Sequence, residues 1–330
     1  MSSWLPSLPY PPPDQQGFWE PVTSTINWCE EDYYATVYAA EIVNTLTNLL
    51  FIWLAYRGLV SCYKHGHDSV FAVAYAGYLA VGFGSLSFHA TLKYPMQLVD
   101  ELSMIYTTCL MAYASFSYSR STAFRIVLAV SLVGLSLFIT LYYHYLQDPA
   151  FHQNVYALLT TIIVFRTVFT MERTLRPSLR HSEEKHPQER KERSRGLHEK
   201  QVQARLNVRD KAILKDMWIL VAFGLTMFLG GFGIWSLDNV YCSKLRSMRR
   251  KIGLPWGVLL EGHGWWHLMT GLGGYCYIVW GIWLRHCLND RQDEYEFVWP
   301  RLYSLPEVVQ FKAGKPSNNS LENGSAKKTR

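Results

Sequence analysis

Five polar side chains stand in segments that are otherwise apolar, and their spacing indicates a common site. Ser85 and His89 are four residues apart, His263 and His267 are also four apart, and Asp100 stands at the start of a third apolar segment. Residues at i and i+4 share one face of a helix, so each pair directs two polar groups to one point. Three imidazoles with one position open for water form the ligand set of a catalytic zinc ion. We therefore expect His89, His263 and His267 to bind zinc beside Ser85 and Asp100.

The elements that must position these residues are membrane-spanning helices. The chain has 330 residues, of which 49% are hydrophobic and 15% aromatic. The apolar residues are gathered into blocks of about 20, the length that crosses a bilayer. We predict an all-α membrane protein, a bundle of seven transmembrane helices with the zinc site at its lumenal rim. The seven blocks cover residues 38–59, 69–90, 97–118, 126–145, 155–171, 218–237 and 265–284. Arg166 interrupts the fifth block, for which a buried or re-entrant helix is the alternative.

The order of the spans shows which of their ends lie together. The second span ends near His89, the third begins near Asp100 and the seventh begins near His263, so all three ends lie on the face of the N-terminus. A single histidine on an apolar face is usually an ordinary core residue. Three histidines on one rim, together with a serine and an aspartate, indicate chemistry instead, because ionisable groups at membrane depth are rare and functional.

A second group of polar residues precedes and enters the first span. Residues 27–32 read Asn-Trp-Cys-Glu-Glu-Asp, and Glu41 lies just inside the span. Oxygen ligands clustered in a short loop suit a hard cation such as calcium. The alternative for the loop alone is an ordinary solvated acidic segment, but Glu41 at membrane depth favours a calcium site.

The distribution of basic residues predicts the orientation in the membrane. Lys and Arg are absent before Arg57 and then recur in alternate connections, so the positive-inside rule places the N-terminus in the lumen and the C-terminus in the cytosol. The basic run at residues 244–251 disagrees, because it falls on the predicted lumenal side. The net charge of +6 is thus a topology signal, and we expect no nucleic-acid partner.

These observations divide the chain into three parts. Residues 1–36 form a lumenal N-terminal segment with the acidic calcium loop, and residues 37–288 form the seven-span catalytic domain. Within this domain, residues 172–216 are a charged cytosolic linker, at most partly helical; residues 289–330 form a cytosolic tail. The tail ends in Lys-Lys-Thr-Arg (residues 327–330), which is typical of a dilysine retrieval signal and predicts the endoplasmic reticulum membrane, with the Golgi as the alternative.

Three motif blocks resemble the alkaline ceramidases. They are Asn-Trp-Cys-Glu-Glu-Asp-Tyr at 27–33, Ser-x-x-Phe-His-Ala-Thr-Leu-Lys-Tyr at 85–94 with Gln-Leu-x-Asp-Glu-Leu at 97–102, and His-Gly-Trp-Trp-His at 263–267. The resemblance runs from about residue 17 to residue 286. It implies a seven-span enzyme that hydrolyses the amide bond of ceramide to a sphingoid base and a free fatty acid.

The family's functional residues map onto this chain position by position. The resemblance implies zinc at His89, His263 and His267, and catalytic roles for Ser85 and Asp100. It implies calcium at five further residues: Asn27, Trp28 (through its backbone carbonyl), Glu30, Asp32 and Glu41.

The chain departs from the family at two places. The usual pattern has Asp at the position of Asn27 and Asn at that of Asp32, so one carboxylate has moved within the expected calcium set. The basic insertion at residues 173–215 is longer than in the better-known animal members and resembles the fungal ones, which indicates phytoceramide or dihydroceramide as substrates.

The expected mechanism follows from the metal. Zinc lowers the pKa of bound water towards about 7 and polarises the amide carbonyl. Asp100 is placed to accept the proton of the attacking water and return it to the leaving amine, while Ser85 donates a hydrogen bond to the oxyanion. The runner-up is a receptor of the progestin or adiponectin type that binds lipid with little turnover, and a transporter is third.

A disulfide is predicted between Cys29 and Cys242. Cys29 precedes the first span and Cys242 follows the sixth, so both lie on the predicted lumenal side. The lumen of the endoplasmic reticulum permits oxidation. Such a bond would tie the calcium loop to the entrance of the seventh span.

Overall fold

The computed structural model describes residues 6–13, 15–179, 197–300 and 304–311. Its longer elements are helices, followed by a small hairpin. In chain order the helices are α1 (Ile42–Thr47), α2 (Leu49–His65), α3 (Ser69–Thr91), α4 (Tyr94–Phe116), α5 (Thr122–Leu146), α6 (Pro149–Leu175), α7 (Leu197–Val240), α8 (Cys242–Ile252) and α9 (Gly262–Leu288). A short 3-10 helix (Trp256–Leu260) precedes α9, and the strands β1 (Tyr295–Val298) and β2 (Glu307–Gln310) follow it.

The helical membrane fold predicted from the sequence is confirmed. Within the described residues, five helical segments are long and apolar enough to cross a membrane: Ile42–His65, Ser69–Thr91, Thr122–Leu146, Pro149–Leu175 and Lys200–Val240. The other two predicted blocks fall in α4 and α9, which have 23 and 27 residues but do not meet the same test of composition. These two helices carry Asp100, His263 and His267, so the residues that interrupt their apolar character are those of the predicted site.

Local signals set where several helices begin. The carboxylate of Asp68 accepts a hydrogen bond from the backbone N–H of Val70 at the start of α3, and Asp148 does the same for Ala150 at the start of α6. Both acids stand at the N-cap, where a short side chain satisfies a backbone donor that the helix leaves free. The left-handed conformation of Leu92, with φ of 48°, ends α3 and turns the chain sharply into α4.

The charged segment before the sixth span is helical at both ends. We predicted a solvated linker at residues 172–216 that would be at most partly helical; α6 continues to Leu175 and α7 begins at Leu197. The residues from 197 to 216 are rich in Lys, Arg, Gln, Ala and Leu, which have high helix propensity. A membrane helix extends through such a sequence because its nucleus is already formed.

Packing places α3 and α9 at the centre of the bundle. Helix α3 packs against α2 and α4, and α9 packs along α7. The Tyr78 hydroxyl donates a hydrogen bond to the carbonyl of Gly271 (2.6 Å) and so joins α3 to α9. Helix α5 lies at the periphery, where only 6% of its most apolar stretch is buried. Its apolar surface is available to lipid.

The chain after α9 contains an ordered β-hairpin that the sequence analysis missed. Strands β1 and β2 pair antiparallel, with Tyr295 opposite Gln310. The hairpin packs against α2 and α9 at the ends of these helices that lie away from the predicted site. We predicted only a tail here, because two strands of four residues give a weak periodic signal. The retrieval signal at residues 327–330 lies outside the described residues.

The predicted disulfide between Cys29 and Cys242 is confirmed. It joins the segment before α1 to the first residue of α8. Backbone hydrogen bonds extend this attachment, because the N–H groups of Ala40 and Glu41 donate to the carbonyls of Ala90 and His89 (2.9 and 3.0 Å). The N-terminal segment is therefore tied across the ends of α3, α8 and α9. We call this end of the bundle the histidine rim.

Candidate active site

The three predicted zinc ligands meet at the histidine rim. His89 lies in the last turn of α3, while His263 and His267 occupy the first two turns of α9. One ligand atom from each ring lies within 4.8 Å of the other two, and the Nε2 atoms of His263 and His267 are 3.1 Å apart. All three side chains are buried, with 1%, 5% and 5% of their surface exposed. Among the described residues this is the only such group of His, Cys, Asp and Glu.

Two of the rings are oriented by partners on or beside α1. Glu41 Oε2 contacts His89 Nδ1, which leaves Nε2 of His89 as the free nitrogen. The Thr47 hydroxyl lies 3.0 Å from His267 Nδ1 and donates its own hydrogen to the carbonyl of Val43 (2.9 Å). With the hydrogen on Nδ1, His267 donates to this hydroxyl and its Nε2 carries a lone pair; the amide nitrogen of Asn48 also lies 3.4 Å from Nδ1. A hydrogen bond at one ring nitrogen that directs the other to a metal is the usual arrangement around zinc.

The third ring, His263, is oriented by packing instead. Its Nδ1 has no hydrogen-bond partner among the described residues, and its ring lies against Trp28 with centroids 4.6 Å apart. The donor set is thus three imidazoles with one ring nitrogen each close to the other two in a buried space. Three imidazole donors fit zinc.

Ser85 and Asp100 lie together beside the triad, as the sequence predicted. Ser85 stands one turn before His89 on α3, and its side chain is a neighbour of the Asp100 side chain on α4 at the wall of one cavity. Gly84 permits this approach, because a Cβ atom built on it would lie 3.1 Å from the backbone N and Cα of Asp100. Any larger residue would push the two helices apart at the site.

A large cavity runs from the triad into the bundle. Its volume is about 500 Å³, and its wall includes His89, His263, His267, Ser85 and Asp100. Most of the remaining wall is contributed by apolar side chains of α3, α4, α6, α7 and α9. The site therefore presents a polar end and a long apolar interior, which suits a molecule with a polar head and a hydrocarbon chain.

The acidic loop before α1 is held close to the triad. Both carboxylate oxygens of Glu30 accept backbone hydrogen bonds, from Val43 (2.7 Å) and Asn44 (2.8 Å), although the side chain is fully buried. Burial, and secondly the neighbouring Glu41 carboxylate, raises the pKa of Glu30 above its usual range. Two buried carboxylates this close repel each other, and a bound cation would relieve this repulsion.

The other predicted calcium ligands have mixed surroundings. Asp32 Oδ2 accepts a hydrogen bond from Asn27 Nδ2 (2.9 Å), whereas Asp32 Oδ1 is buried and has no partner among the described residues. The Trp28 carbonyl accepts a hydrogen bond from Arg246 Nη2 (3.1 Å), so one of its two lone pairs is already used. The free oxygen of Asp32 fits a hard cation, and Trp28 can contribute only its second lone pair.

The structure gives a reason for the basic run at residues 244–251. Arg249 is fully buried and pairs with Asp238 (3.1 Å) and Glu261 (3.0 Å). Arg250 pairs with Glu31, and Arg246 donates to the carbonyls of residues 28–30. Because these three charges are satisfied within the protein, they count less as a topology signal than their number indicates.

Sequence reasoning missed several residues that position the triad. Glu41 was assigned only to calcium, yet its Oε2 contacts the ring of His89. Thr47 and the pair of Asp238 with Arg249 were not singled out, although Asp238 also accepts a hydrogen bond from the backbone N–H of Gly262 (3.4 Å) at the start of α9. Thr47 lies one residue from the polar position Asn48, and that proximity was the only signal in the sequence.

Comparison with known proteins agrees with this geometry. The profile of the ceramidase family matches residues 20–309. Alkaline ceramidase 3 of Mus musculus is 31% identical over 301 residues, which is 90% of this chain and 98% of that protein. Alkaline ceramidase YPC1 of Saccharomyces cerevisiae is 33% identical over 327 residues, or 95% of this chain and 92% of that protein. An alkaline ceramidase of Arabidopsis thaliana is 26% identical over 259 residues, or 78% of this chain and 83% of that protein. These matches show that the chain belongs to the ceramidase family.

Proposed function

We propose that this protein is a zinc-dependent ceramidase that hydrolyses the amide bond of ceramide to a sphingoid base and a free fatty acid. The observation that carries the proposal is the convergence of the three buried imidazoles of His89, His263 and His267 beside Asp100 and Ser85 on the wall of an apolar cavity. The names of the related proteins, all alkaline ceramidases, agree with it.

Each residue has a distinct role in this proposal. Zinc, when held by His89, His263 and His267, supplies a Lewis acid that polarises the amide carbonyl and lowers the pKa of water. Asp100 accepts the proton of the attacking water and passes it to the nitrogen of the leaving amine, because its carboxylate is the acid–base group beside the triad. Ser85 donates its hydroxyl hydrogen to the oxygen that gains negative charge as the amide is attacked.

The closeness of Ser85 and Asp100 matters for this division of labour. The packing of α3 against α4 places the two side chains side by side before substrate enters, so little reorganisation is needed for both to reach the same amide group. The apolar part of the cavity holds hydrocarbon and excludes bulk water from the reacting groups. The bilayer supplies such a substrate directly.

We further propose that calcium binds the acidic loop through Asn27, the Trp28 carbonyl, Glu30, Asp32 and Glu41. The support is the pair of buried carboxylates Glu30 and Glu41 and the unpartnered Oδ1 of Asp32. Glu41 would then connect the calcium site to the zinc site, because its Oε2 contacts the proposed zinc ligand His89. In this proposal calcium stabilises the loop and does not take part in the reaction.

The compartment we propose is the endoplasmic reticulum membrane, with the N-terminus lumenal and the C-terminus cytosolic; the Golgi is the alternative. The disulfide between Cys29 and Cys242 supports an oxidising compartment for the histidine rim. The internal pairing of Arg246, Arg249 and Arg250 weakens the one objection to this orientation.

The direct test is turnover by purified protein. Ceramide, dihydroceramide and phytoceramide are each presented in lipid vesicles, the sphingoid base is measured by mass spectrometry, and the metal content of the same preparation is determined. We expect bound zinc and release of sphingoid base, with the phytoceramide or dihydroceramide rate the highest. Saturable lipid binding without product would favour the receptor alternative, and activity that survives complete removal of zinc would reject the mechanism.

A further inference from the structure

Glu101, the residue after Asp100, is held by side chains from three helices. Its Oε2 accepts hydrogen bonds from Gln97 Nε2 (3.1 Å) on α4 and from the Tyr143 hydroxyl on α5. Its Oε1 lies 3.6 Å from His152 Nδ1 on α6. Glu101 and His152 are 6% and 3% exposed, and both line the cavity beside Asp100.

His152 contacts both the main chain and the side chain of Glu101. Its Nε2 lies 2.8 Å from the Glu101 carbonyl, which can only accept, so Nε2 carries a hydrogen. The other ring nitrogen faces the carboxylate of the same residue. His152 thereby holds the backbone at residue 101, while Gln97 and Tyr143 hold the carboxylate of the same residue.

The contacts of Glu101 lie on a different face of α4 from the side chain of Asp100. Successive residues on a helix point about 100° apart, so Glu101 faces α5 and α6 while Asp100 faces Ser85 on α3. The beginning of α4 is therefore fixed from two sides. A rotation of α4 that moved the Asp100 carboxylate would have to break the contacts of Glu101 with Tyr143 and His152.

Stability alone is a poor explanation for this cluster. No Arg or Lys among the described residues pairs with Glu101, and a buried carboxylate without a cationic partner costs more than an apolar side chain of the same size. A buried polar network whose members are all hydrogen-bonded does, however, specify one geometry more sharply than apolar packing. Such a network is useful where a neighbouring group must be placed to a fraction of an ångström.

We propose that Glu101, Tyr143 and His152 form a positioning cluster that holds Asp100 in the orientation it needs for proton transfer. This inference rests on the proposed function, in which Asp100 is the base. None of the three residues is assigned to metal binding or to the chemistry itself. They act through the placement of α4.

The first test compares kinetic parameters of single variants. Glu101→Ala should lower kcat by about 10–100-fold, as for loss of a residue that orients a catalytic group, with KM changed by less than about threefold and zinc retained. Glu101→Gln keeps an acceptor for the Tyr143 hydroxyl and should restore much of the rate. Tyr143→Phe and His152→Ala should show the same pattern as Glu101→Ala, but to a smaller extent.

The chain offers a matched control for the tether to α5. The Tyr106 hydroxyl is hydrogen-bonded to Thr140 Oγ1 (2.7 Å) and joins the same two helices, α4 and α5, without contact to Glu101. Tyr106→Phe should leave kcat within about twofold of the parent. Equal losses in Tyr106→Phe and Tyr143→Phe, at equal thermal stability, would show a general role in packing and overturn the proposal.

The decisive test is a double-mutant cycle with Asp100. If Glu101 acts through Asp100, Glu101→Ala should cost less than about threefold in residual rate when Asp100→Asn is already present. A loss of the full single-variant size in that background would overturn the positioning role while leaving Asp100 as the base. Full activity of Asp100→Asn alone would instead reject the proposed function. Glu101→Gln and Tyr143→Phe, which change no side-chain volume appreciably, keep the test valid if Glu101→Ala does not fold.

Discussion

A group of three buried histidines lies at each end of this bundle, yet only one of the two groups resembles a metal site. At the histidine rim, ligand atoms of His89, His263 and His267 lie within 4.8 Å of one another. At the other end, which we call the hairpin end, His65, His67 and His286 lie between α2, α9 and the β-hairpin. The two groups have the same composition and similar burial. Their difference lies in what their ring nitrogens contact.

At the hairpin end, ring nitrogens are used to hold the backbone of the hairpin. His67 Nε2 donates to the carbonyl of Val308 (3.1 Å), and His65 Nδ1 accepts from the N–H of Gln310 (3.2 Å). His67 Nδ1 and His286 Nε2 are hydrogen-bonded to each other (2.9 Å). At the rim, Glu41 and Thr47 contact the Nδ1 atoms of His89 and His267, while the Nε2 atoms of His263 and His267 face each other (3.1 Å) and contact no backbone group. The partner of the second nitrogen therefore separates a ligand from a structural histidine.

The largest expected effect is the loss of zinc on substitution of a histidine at the rim, with no such loss on substitution at the hairpin end. Replacing His89, His263 or His267 by Ala leaves two protein ligands, which hold zinc poorly, so zinc content and ceramide turnover should fall together to background. The matched control is His286→Gln, a change on the same helix as His263 that keeps a donor for His67. It should retain zinc. Zinc at normal occupancy in His267→Ala would contradict the assignment of the triad.

The next largest effect distinguishes the residues that bind zinc from those that take part in the reaction. Asp100→Asn keeps the size of the side chain but removes the base, so turnover should fall by about 10²–10⁴-fold while zinc is retained. Ser85→Ala should cost about 10²–10³-fold for the loss of an oxyanion donor. Zinc per chain and rates of product formation are measured in the same samples.

Ser87 supplies the control for Ser85. It lies two residues along α3, and its only described hydrogen bond is made by its backbone carbonyl. Ser87→Ala should therefore behave like the parent. A loss of zinc in Asp100→Asn would show that Asp100 supports the ligands instead of taking part in proton transfer, and a loss below about 100-fold with zinc retained would indicate a purely orienting role.

A smaller effect concerns the link between the acidic loop and the triad. Removing calcium with a selective chelator should lower the thermal midpoint of the parent protein, because Glu30 attaches the loop to the start of α1 and Asp32 joins the loop to itself through Asn27. Glu30→Gln should remove this sensitivity and keep zinc. Glu41→Gln should remove the sensitivity to the chelator and also weaken zinc binding by about 10–100-fold, because Glu41, unlike Glu30, contacts His89. A parent protein whose midpoint and turnover ignore the chelator would reject the calcium site.

The sequence predicted the rim better than the hairpin end for a physical reason. The pairs Ser85 with His89 and His263 with His267 are local, and the periodicity of a helix is enough to place each pair on one face. The order of the spans then brings the pairs together. The contacts of His67 depend on Val308, 241 residues away, and on two short strands with no strong pattern. No local signal in the sequence encodes such a contact.

The sequence also did not show which charged side chains are buried. Arg249 was counted only as one of five basic residues that disagree with the predicted topology, yet it is fully buried between Asp238 and Glu261. Glu101 is next to Asp100 in the motif and was not given a role of its own. In both cases the partners lie on other helices, and only the packing of those helices shows that the charge is enclosed.

The smallest expected effect is a pH dependence confined to the hairpin end. Burial lowers the pKa of His67 from its ordinary value of 6.5 to about 4, against the opposite influences of the Val308 carbonyl and the Glu307 carboxylate. A depressed pKa in the folded state means that the neutral ring is the stable form. The contribution of His67 is therefore complete above about pH 6.5 and is lost as the pH falls towards about 4. Attachment of the hairpin should weaken over that interval.

Hydrogen–deuterium exchange of the peptide at residues 295–310, with labelling times corrected for pH, measures this attachment directly. Protection should decrease below about pH 6.5 in the parent protein. In His67→Gln, which keeps a donor for the Val308 carbonyl but does not titrate, protection should be lower at neutral pH and nearly independent of pH. His65 and His286 face the same space and also titrate. Any pH dependence of protection that remains in the variant therefore measures the contribution of these two residues. An equal change of protection with pH in the parent and the variant would show that His67 is not the titrating group. The contrast between the two ends would then rest on their geometry alone.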